Sequence, residues 1–451
     1  MIGRVIGFLL TAALVCGAPA RAAEANPGAI SASDLVRDRT GIKVPWSRSS
    51  TGRLEMDSLV TPQGELSEDH AVRVALWNNR ELSAAFEEIG IARADYRQAV
   101  LPKNPTLDGE IRFGSGGRRP GGVGVMQDLS SILFLPLRKR VAAEGVQRAA
   151  LTAAHDALQL VAETRTAYYA YQAADESRRL FERVSLASRV QADLAKRQHE
   201  AGNISDLDLE NEQAQYELAK VALARGEVEV TSARERLNRA MGLWGKATSW
   251  TVTAELRAVP DTSDVALEGG ESTAVAQRLD LAAARAEVRM TERSTTLARY
   301  SQWPDLRAGV HLEWEPEGGH TFGPAVEVAI PLFDRGQAGV ARARAQLRQA
   351  EDRRAALAVS VRSEARLASG RLVSAQQLAA YYKTVVVPRR KRIAQQTKLQ
   401  FNSMLVGLPQ LIESNRGELN AQREYIEAVR DYWTARAELE RVLAGPVRTT
   451  P

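Results

Sequence analysis

The chain is predicted to be mainly α-helical with a smaller β component, built from two copies of one helix, hairpin and long-helix pattern. Three observations predict this class: an internal repeat, sustained heptads of small apolar residues, and four short runs of alternating polarity.

The repeat comes first in the order of inference. Residues 81–107 align without a gap with residues 280–306, each segment carrying a proline (Pro105, Pro304) two residues before its closing leucine (Leu107, Leu306). Leu135, Pro136, Leu137 and Arg140 match Ile330, Pro331, Leu332 and Arg335; residues 233–237 match 435–439. The period is about 200 residues, far beyond the 20–50 of solenoid repeats, so a duplicated half is expected. The expected division is a leader at 1–22, an extended N-terminal segment at 23–70, repeat 1 at 71–243, a linker at 244–273, repeat 2 at 274–445 and a tail at 446–451. Each half opens with a helix, at about 82–100 and 281–300, stopped by proline. An extended, glycine-punctuated stretch follows, at 106–135 and 305–332, and then two long helices that end near Met241 and Leu443.

The long helices carry a seven-residue period. Val146, Ala153, Leu160, Ala167, Ala174 and Phe181 are seven apart, with Ala150, Ala157, Thr164 and Tyr171 four residues after the first four of them. In the second half Leu347, Val361, Ala368, Ala375 and Tyr382 keep the spacing, with Arg354 as the polar exception. A sustained heptad implies coiled-coil packing against neighbours, and alanine lets helices approach closely. From residue 140 to 199 the helix would be about 90 Å long at 1.5 Å per residue. A free-standing scaffold would need such helices as much as a channel wall would.

The alternating runs bear on location. Leu306, Ala308, Val310, Leu312 and Trp314 share one face; Arg307, Gly309, His311 and Glu313 share the other. Phe322, Val326, Val328 and Ile330 likewise oppose Gly323, Ala325, Glu327 and Ala329. In the first half Leu107, Ile111 and Phe113 oppose Asp108, Glu110 and Arg112; a less regular partner is expected at 125–135, joined through a glycine loop at 114–124. Runs of about 9–11 residues suit tilted strands crossing a hydrocarbon layer, apolar side out and polar side to a lumen, although a soluble sheet with one wet face alternates too. On the membrane reading Leu306, Val310, Leu312, Trp314, Val326 and Val328 face lipid. Four strands cannot close a barrel, and an open edge in lipid leaves backbone groups unsatisfied. The chain would share a barrel with copies of itself, and three copies, twelve strands, leave room for a pore.

The N-terminus supports export. Arg4, an apolar run at 5–16 and the small residues at 18–23 describe a secretory signal peptide cleaved after Ala22 or Ala23. Val15 before Cys16 fits a lipoprotein site poorly, so the mature chain would hold no cysteine and no disulfide. Elsewhere composition excludes classes. With 44% hydrophobic and 25% charged residues the chain is globular; its net charge of +5 is spread among interleaved acids and bases, which gives no nucleic-acid footprint. His70, His155, His199, His311 and His320 have no ligand spacing, and no phosphate loop, nucleophile elbow or metalloprotease motif occurs, so neither an enzyme nor a cofactor site nor a metal site is expected. The six methionines do not cluster as copper ligands would.

The motif NREL at 79–82, the proline-ended helices, IPLFDRGQA at 330–338, AQREY at 421–425 and DYWTARAEL at 431–439 occur in order. On these the chain resembles the TolC-like outer-membrane factor family over nearly its whole length. The resemblance implies a homotrimer with a twelve-stranded outer-membrane β-barrel continuing into an α-barrel across the periplasm. It further implies a passive exit duct of a tripartite efflux pump, docked to a periplasmic adaptor and driven by an inner-membrane transporter of the resistance-nodulation-division type. The duct of a protein secretion system shares that fold, and a soluble coiled-coil scaffold is the alternative without a membrane. By the same resemblance Gly202, Asn203 and Ile204, and Val406, Gly407 and Leu408, form helical tips that meet the adaptor. Glu413 falls where relatives have a carboxylate at the periplasmic mouth, with Gln410 where they have a second acid. Residues 401–408 and the tyrosine-tryptophan ending look closest to the heavy-metal or copper branch.

Overall fold

A computed structural model describes residues 31–44, 65–113, 120–252, 256–260, 269–300, 302–315 and 319–446. The leader with Cys16, both hairpin loop tips (114–119, 316–318), most of the tail and linker residues 253–255 and 261–268 lie outside the described residues.

The elements, in order, are α1 (Ala32–Thr40), β1 (Glu65–Leu66), α2 (Glu68–Asn78), α3 (Arg80–Ala99), β2 (Thr106–Ile111), β3 (Gly121–Asp128), α4 (Leu129–Leu133), α5 (Leu135–Glu200) and α6 (Asp206–Met241). There follow a short 3-10 turn, β4 (Thr251–Val252), α7 (Gly270–Gln277), α8 (Leu279–Tyr300), β5 (Leu306–Trp314), β6 (His320–Val328), α9 (Gln337–Tyr381), a π turn (Tyr382–Val386), α10 (Val387–Asn402) and α11 (Leu408–Leu443). The segment expected to be extended at 23–70 thus contains a nine-residue helix, α1.

The heptads order the long helices as read. Val146, Ala150, Ala153, Ala157, Leu160, Thr164, Ala167, Tyr171 and Ala174 alternate in steps of three and four along α5, and every one is buried. In the second half Val361 and Ala368 of the expected heptad are buried, with Ala365 and Leu372 beside them, whereas Leu347, Ala375 and Tyr382 are half-buried. Thr164 satisfies its buried hydroxyl locally by donating to Leu160 O at 2.7 Å. Between α9 and α10 the π turn precedes Pro388, which lacks the N–H an α-helix would need and whose ring would clash with the carbonyl four residues back. One wider turn absorbs both problems without breaking the helix.

The chain divides into two compact units. The first draws on Phe86–Ala153 and Asp280–Leu357 and holds a four-stranded antiparallel sheet in the order β2-β3-β5-β6. Its helices are fixed by ion pairs: the buried Glu144 carboxylate receives Arg289 Nε at 2.9 Å and Arg293 Nη1 at 2.8 Å. The sheet's base is tied by Ser130 Oγ, which accepts from Leu306 N at 2.8 Å, and by Asp128, which caps α4 by accepting from Ser131 N at 2.8 Å.

The second unit draws on Ser33–Ala85, Ala154–Leu279 and Ala358–Pro451. Asn79 breaks the chain between α2 and α3; its Oδ1 accepts from Leu82 N and its Nδ2 donates to Ala240 O, both at 3.1 Å. Gly242 ends α6 in the left-handed region (φ 65°), where a Cβ would fall 2.8 Å from Asn78 O. Only glycine meets both conditions without strain. The largely aliphatic core of this unit includes an aromatic group: Tyr169 stacks on Trp433 at 5.4 Å between centroids, and Trp433 Nε1 donates to Arg257 O at 2.7 Å. Burial, aided by Glu68 and Glu65, pushes the Tyr168 hydroxyl up to about 12. β1 and β4 pair in parallel here, Glu65 with Thr251.

Candidate functional site

The sheet is the part of the fold with two chemically distinct faces. Its register places Trp314, Leu312, Val310, Ala308 and Leu306 of β5 opposite Gly121, Val123, Val125 and Gln127 of β3 on one side and His320, Phe322, Pro324, Val326 and Val328 of β6 on the other. Leu107 and Ile111 of β2 join the same face through Val125 and Gly121. Apart from Gln127 and His320 near its ends, this face is apolar across all four strands. Of the side chains read as lipid-facing, Leu306, Val310, Val326 and Val328 are exposed in the single chain, and Leu312 and Trp314 are half-buried. Leu107, Ile111, Phe322 and Val326 are each at least 60% exposed, an apolar patch that water-soluble monomers rarely tolerate.

The opposite face carries Asp108, Glu110, Arg307, His311, Glu313 and Glu327, with Gly122, Gly124 and Gly309 among them. Arg112 pairs with Glu110 at 2.5 Å and Arg307 lies 3.7 Å from Glu327. The glycines explain a difference from the sequence reading. The partner of β2 was expected at 125–135, with 114–124 as loop; β3 instead runs Gly121–Asp128, and residues 129–133 form a helical turn. Gly121, Gly122 and Gly124 read as loop residues, yet they are strand positions at which neighbouring side chains close in. A Cβ on Gly122 would lie 2.6 Å from His311 Nε2, and one on Gly124 2.7 Å from both His311 Nδ1 and Asp108 Oδ1. Glycine inside a strand marks such an approach.

Among the described residues the two edges of the sheet, β2 and β6, have no strand partner. Glu315 N donates to Gly319 O and Ala329 N to Asp305 O, both at 3.0 Å. By the alternation of an antiparallel ladder, odd positions of β6 bond β5 and even positions face outward. Pro324, an even position, thus sits on the outward side of β6, where a missing N–H costs no bond to β5.

Two helical turns were expected to be docking tips. At the first, Gly202 has φ 73° and Asn203 N donates to Gln198 O at 2.8 Å, closing α5. Ser205 and Asp208 then form a capping box that starts α6. Ile204 is half-buried, Gly202 and Asn203 exposed. At the second, Gly407 does not close the preceding helix. Gly407 is the N-cap of α11 in ordinary extended geometry (φ −83°, ψ 165°), and the left-handed residue is Met404 (φ 56°). Met404 and Leu405 are almost fully exposed at this turn, beside half-buried Val406 and at the start of α11 at Leu408. Sequence reasoning missed Met404, since the glycine nearby drew the turn signal. Gln410 and Glu413 both lie exposed on the first turns of α11, and Glu413 is 3.9 Å from Arg416.

Among the described residues no helix is long and apolar enough to cross a membrane. Residues 71–243 match the family model described as outer membrane efflux protein. The cobalt-zinc-cadmium resistance protein CzcC of Cupriavidus metallidurans is 22% identical over 388 residues, covering 84% of this chain and 90% of that protein. Among solved structures, a membrane protein from Pseudomonas aeruginosa superimposes with a TM-score of 0.74 at 18% identity, over 91% of this chain and 98% of that one. CusC does so with 0.72 at 18%, over 89% and 99%, and the Campylobacter jejuni CmeC outer membrane channel with 0.73 at 15%, over 95% and 94%. The family match thus covers residues 71–243, and the fold of the solved outer-membrane channels is shared over nearly the whole chain.

Proposed function

We propose that the mature chain is the outer-membrane duct of a tripartite efflux pump, active as a homotrimer. One observation carries this reading: the apolar and polar faces of the sheet keep their identity through four strands in register, while both edges lack partners. In lipid every backbone group must be bonded, so sister copies cover those edges, and three four-stranded sheets close a barrel wide enough for a pore. The matching order of helix, hairpin and long helices on either side of the linker supports the duplication.

The polar face then lines the pore. Its carboxylates outnumber its guanidinium groups, and each arginine there is already engaged by a glutamate. Such a wall favours cations over anions. CzcC confers cobalt, zinc and cadmium resistance by its name, and we take divalent metal ions as the cargo. The chain itself does no covalent chemistry; the Val406–Leu408 turn, with exposed Met404 and Leu405 beside it, and the Gly202–Ile204 turn meet the periplasmic adaptor, and the adaptor couples the duct to an inner-membrane transporter.

Extraction tests this. The mature chain should stay with the outer membrane through high-salt washing and, once in detergent, sediment as a trimer. Recovery as a water-soluble monomer would remove the duct reading.

A further inference from the structure

The polar face holds a side-chain group that the conduit reading does not need. Glu110 on β2 and Glu313 on β5 both face Gly122 of β3, and Asp108 and His311 both face Gly124. Because those two β3 positions have no side chains, groups two strands apart meet over bare backbone. The imidazole fills that space: Nε2 points to Glu313 Oε1 at 3.5 Å and Nδ1 to Asp108 Oδ2 at 3.6 Å. Ligand atoms of Glu110, His311 and Glu313 lie within 4.8 Å of one another.

We propose that Glu110, His311 and Glu313 form a binding site for a divalent transition-metal ion such as Zn²⁺ or Co²⁺, with Asp108 orienting the imidazole. One nitrogen and two carboxylate oxygens suit zinc and its neighbours in the first row better than calcium or magnesium, which prefer oxygen alone. Asp108 Oδ2, 3.6 Å from Nδ1, stands where a small turn of the ring onto a metal would let it accept the Nδ1 proton and leave Nε2 with the free electron pair, the arrangement that metal-bound histidines commonly have. Arg112, paired with one Glu110 oxygen at 2.5 Å, holds that carboxylate beside the site until a dication takes over the charge. With three protein donors the remaining positions go to water, and binding is weak enough to be transient. That is the requirement for a site along a conduction path, where an ion must enter and also leave.

The role in transport rests on the polar face lining the pore; the site itself does not. Tag-free, chelator-treated protein in detergent should bind Co²⁺ saturably at one ion per chain, seen by its visible absorption, with Zn²⁺ displacing it. His311→Gln and Glu313→Gln should each weaken binding tenfold or more, and Asp108→Asn by about 10- to 100-fold, the usual effect of losing the residue behind a ligand. His320→Gln, on the opposite face of the sheet, should leave it unchanged. The trimer is scored separately in each sample, so a variant that fails to assemble is replaced by the other ligand variant. Wild-type protein that binds Co²⁺ no more tightly than His311→Gln and Glu313→Gln overturns the site while leaving the duct. A soluble monomer that binds Co²⁺ through these residues keeps the site and overturns the duct.

Discussion

Placing arginine at Val310 tests the sidedness of the sheet at its most sensitive point. Val310 is the central residue of β5, paired with Val125 of β3 and Pro324 of β6, and so at mid-depth if the strands span the bilayer. An arginine facing lipid there costs about 2–4 kcal/mol per chain. Three copies raise the cost to about 6–12 kcal/mol per trimer, comparable to the whole stability of an ordinary domain, about 5–15 kcal/mol. The control is Ala325→Arg, one strand away and on the polar face, where the cation meets water and the carboxylates of the lining. Outer membranes should contain little Val310→Arg trimer, scored by sedimentation in detergent, and near-normal amounts of Ala325→Arg. Equal trimer in the two would refute the assignment of faces; loss of Ala325→Arg alone would reverse it.

Gly407→Ile should leave trimer amount unchanged yet abolish metal or drug tolerance, because Gly407 has an extended backbone and its nearest non-neighbour atom to a Cβ is an ordinary 3.5 Å away; normal tolerance in that strain would remove the docking role of the turn. Gly242→Ala, in contrast, combines a left-handed backbone with a Cβ 2.8 Å from Asn78 O, and should lower thermal stability by at least the roughly 1–2 kcal/mol of the backbone strain, read as an earlier melting transition by circular dichroism. Glu212, buried in α6, has its carboxyl pushed up by desolvation. A carboxyl whose folded pKa is raised makes the native state bind the proton more tightly, so it costs stability as pH rises past the ordinary carboxylate range. Glu212→Gln should therefore melt higher than wild type at neutral pH, with the gap closing in acid; a pH-independent difference would mean that the burial is lost in the assembly.

Periodic features were legible in the sequence and contacts across strands were not. The heptad at Val146, Ala153 and Leu160 and the alternation of 306–314 are local rules, and they located α5 and β5 closely. The helix openings fell within about two residues of Arg80 and Leu279, within ordinary boundary error. β3 was displaced because Gly121, Gly122 and Gly124 carry the composition of a loop, and only the register shows what they make room for. His311 is about 200 residues from Glu110, so no spacing rule connects them; a pleat and two glycines do. Met404 escaped notice because non-glycine residues seldom adopt positive φ.

Pro324 bears on how the sheet edge is used. A long, flat, apolar edge invites pairing with any passing strand, and proline on the outward side of an edge is one means of discouraging it. Here it removes one donor from the outward row of β6 without touching the bonds to β5. In the proposed trimer the edge that a sister copy covers thus offers one donor fewer, and whichever carbonyl falls opposite residue 324 goes without a backbone partner. Restoring the donor with Pro324→Ala should stabilise the correct trimer slightly and also permit shifted pairings. Wild-type trimers should then be uniform on native gels, and Pro324→Ala trimers should be accompanied by larger aggregates. Uniform trimers from both would mean that register is set elsewhere, by the helices that continue from each hairpin.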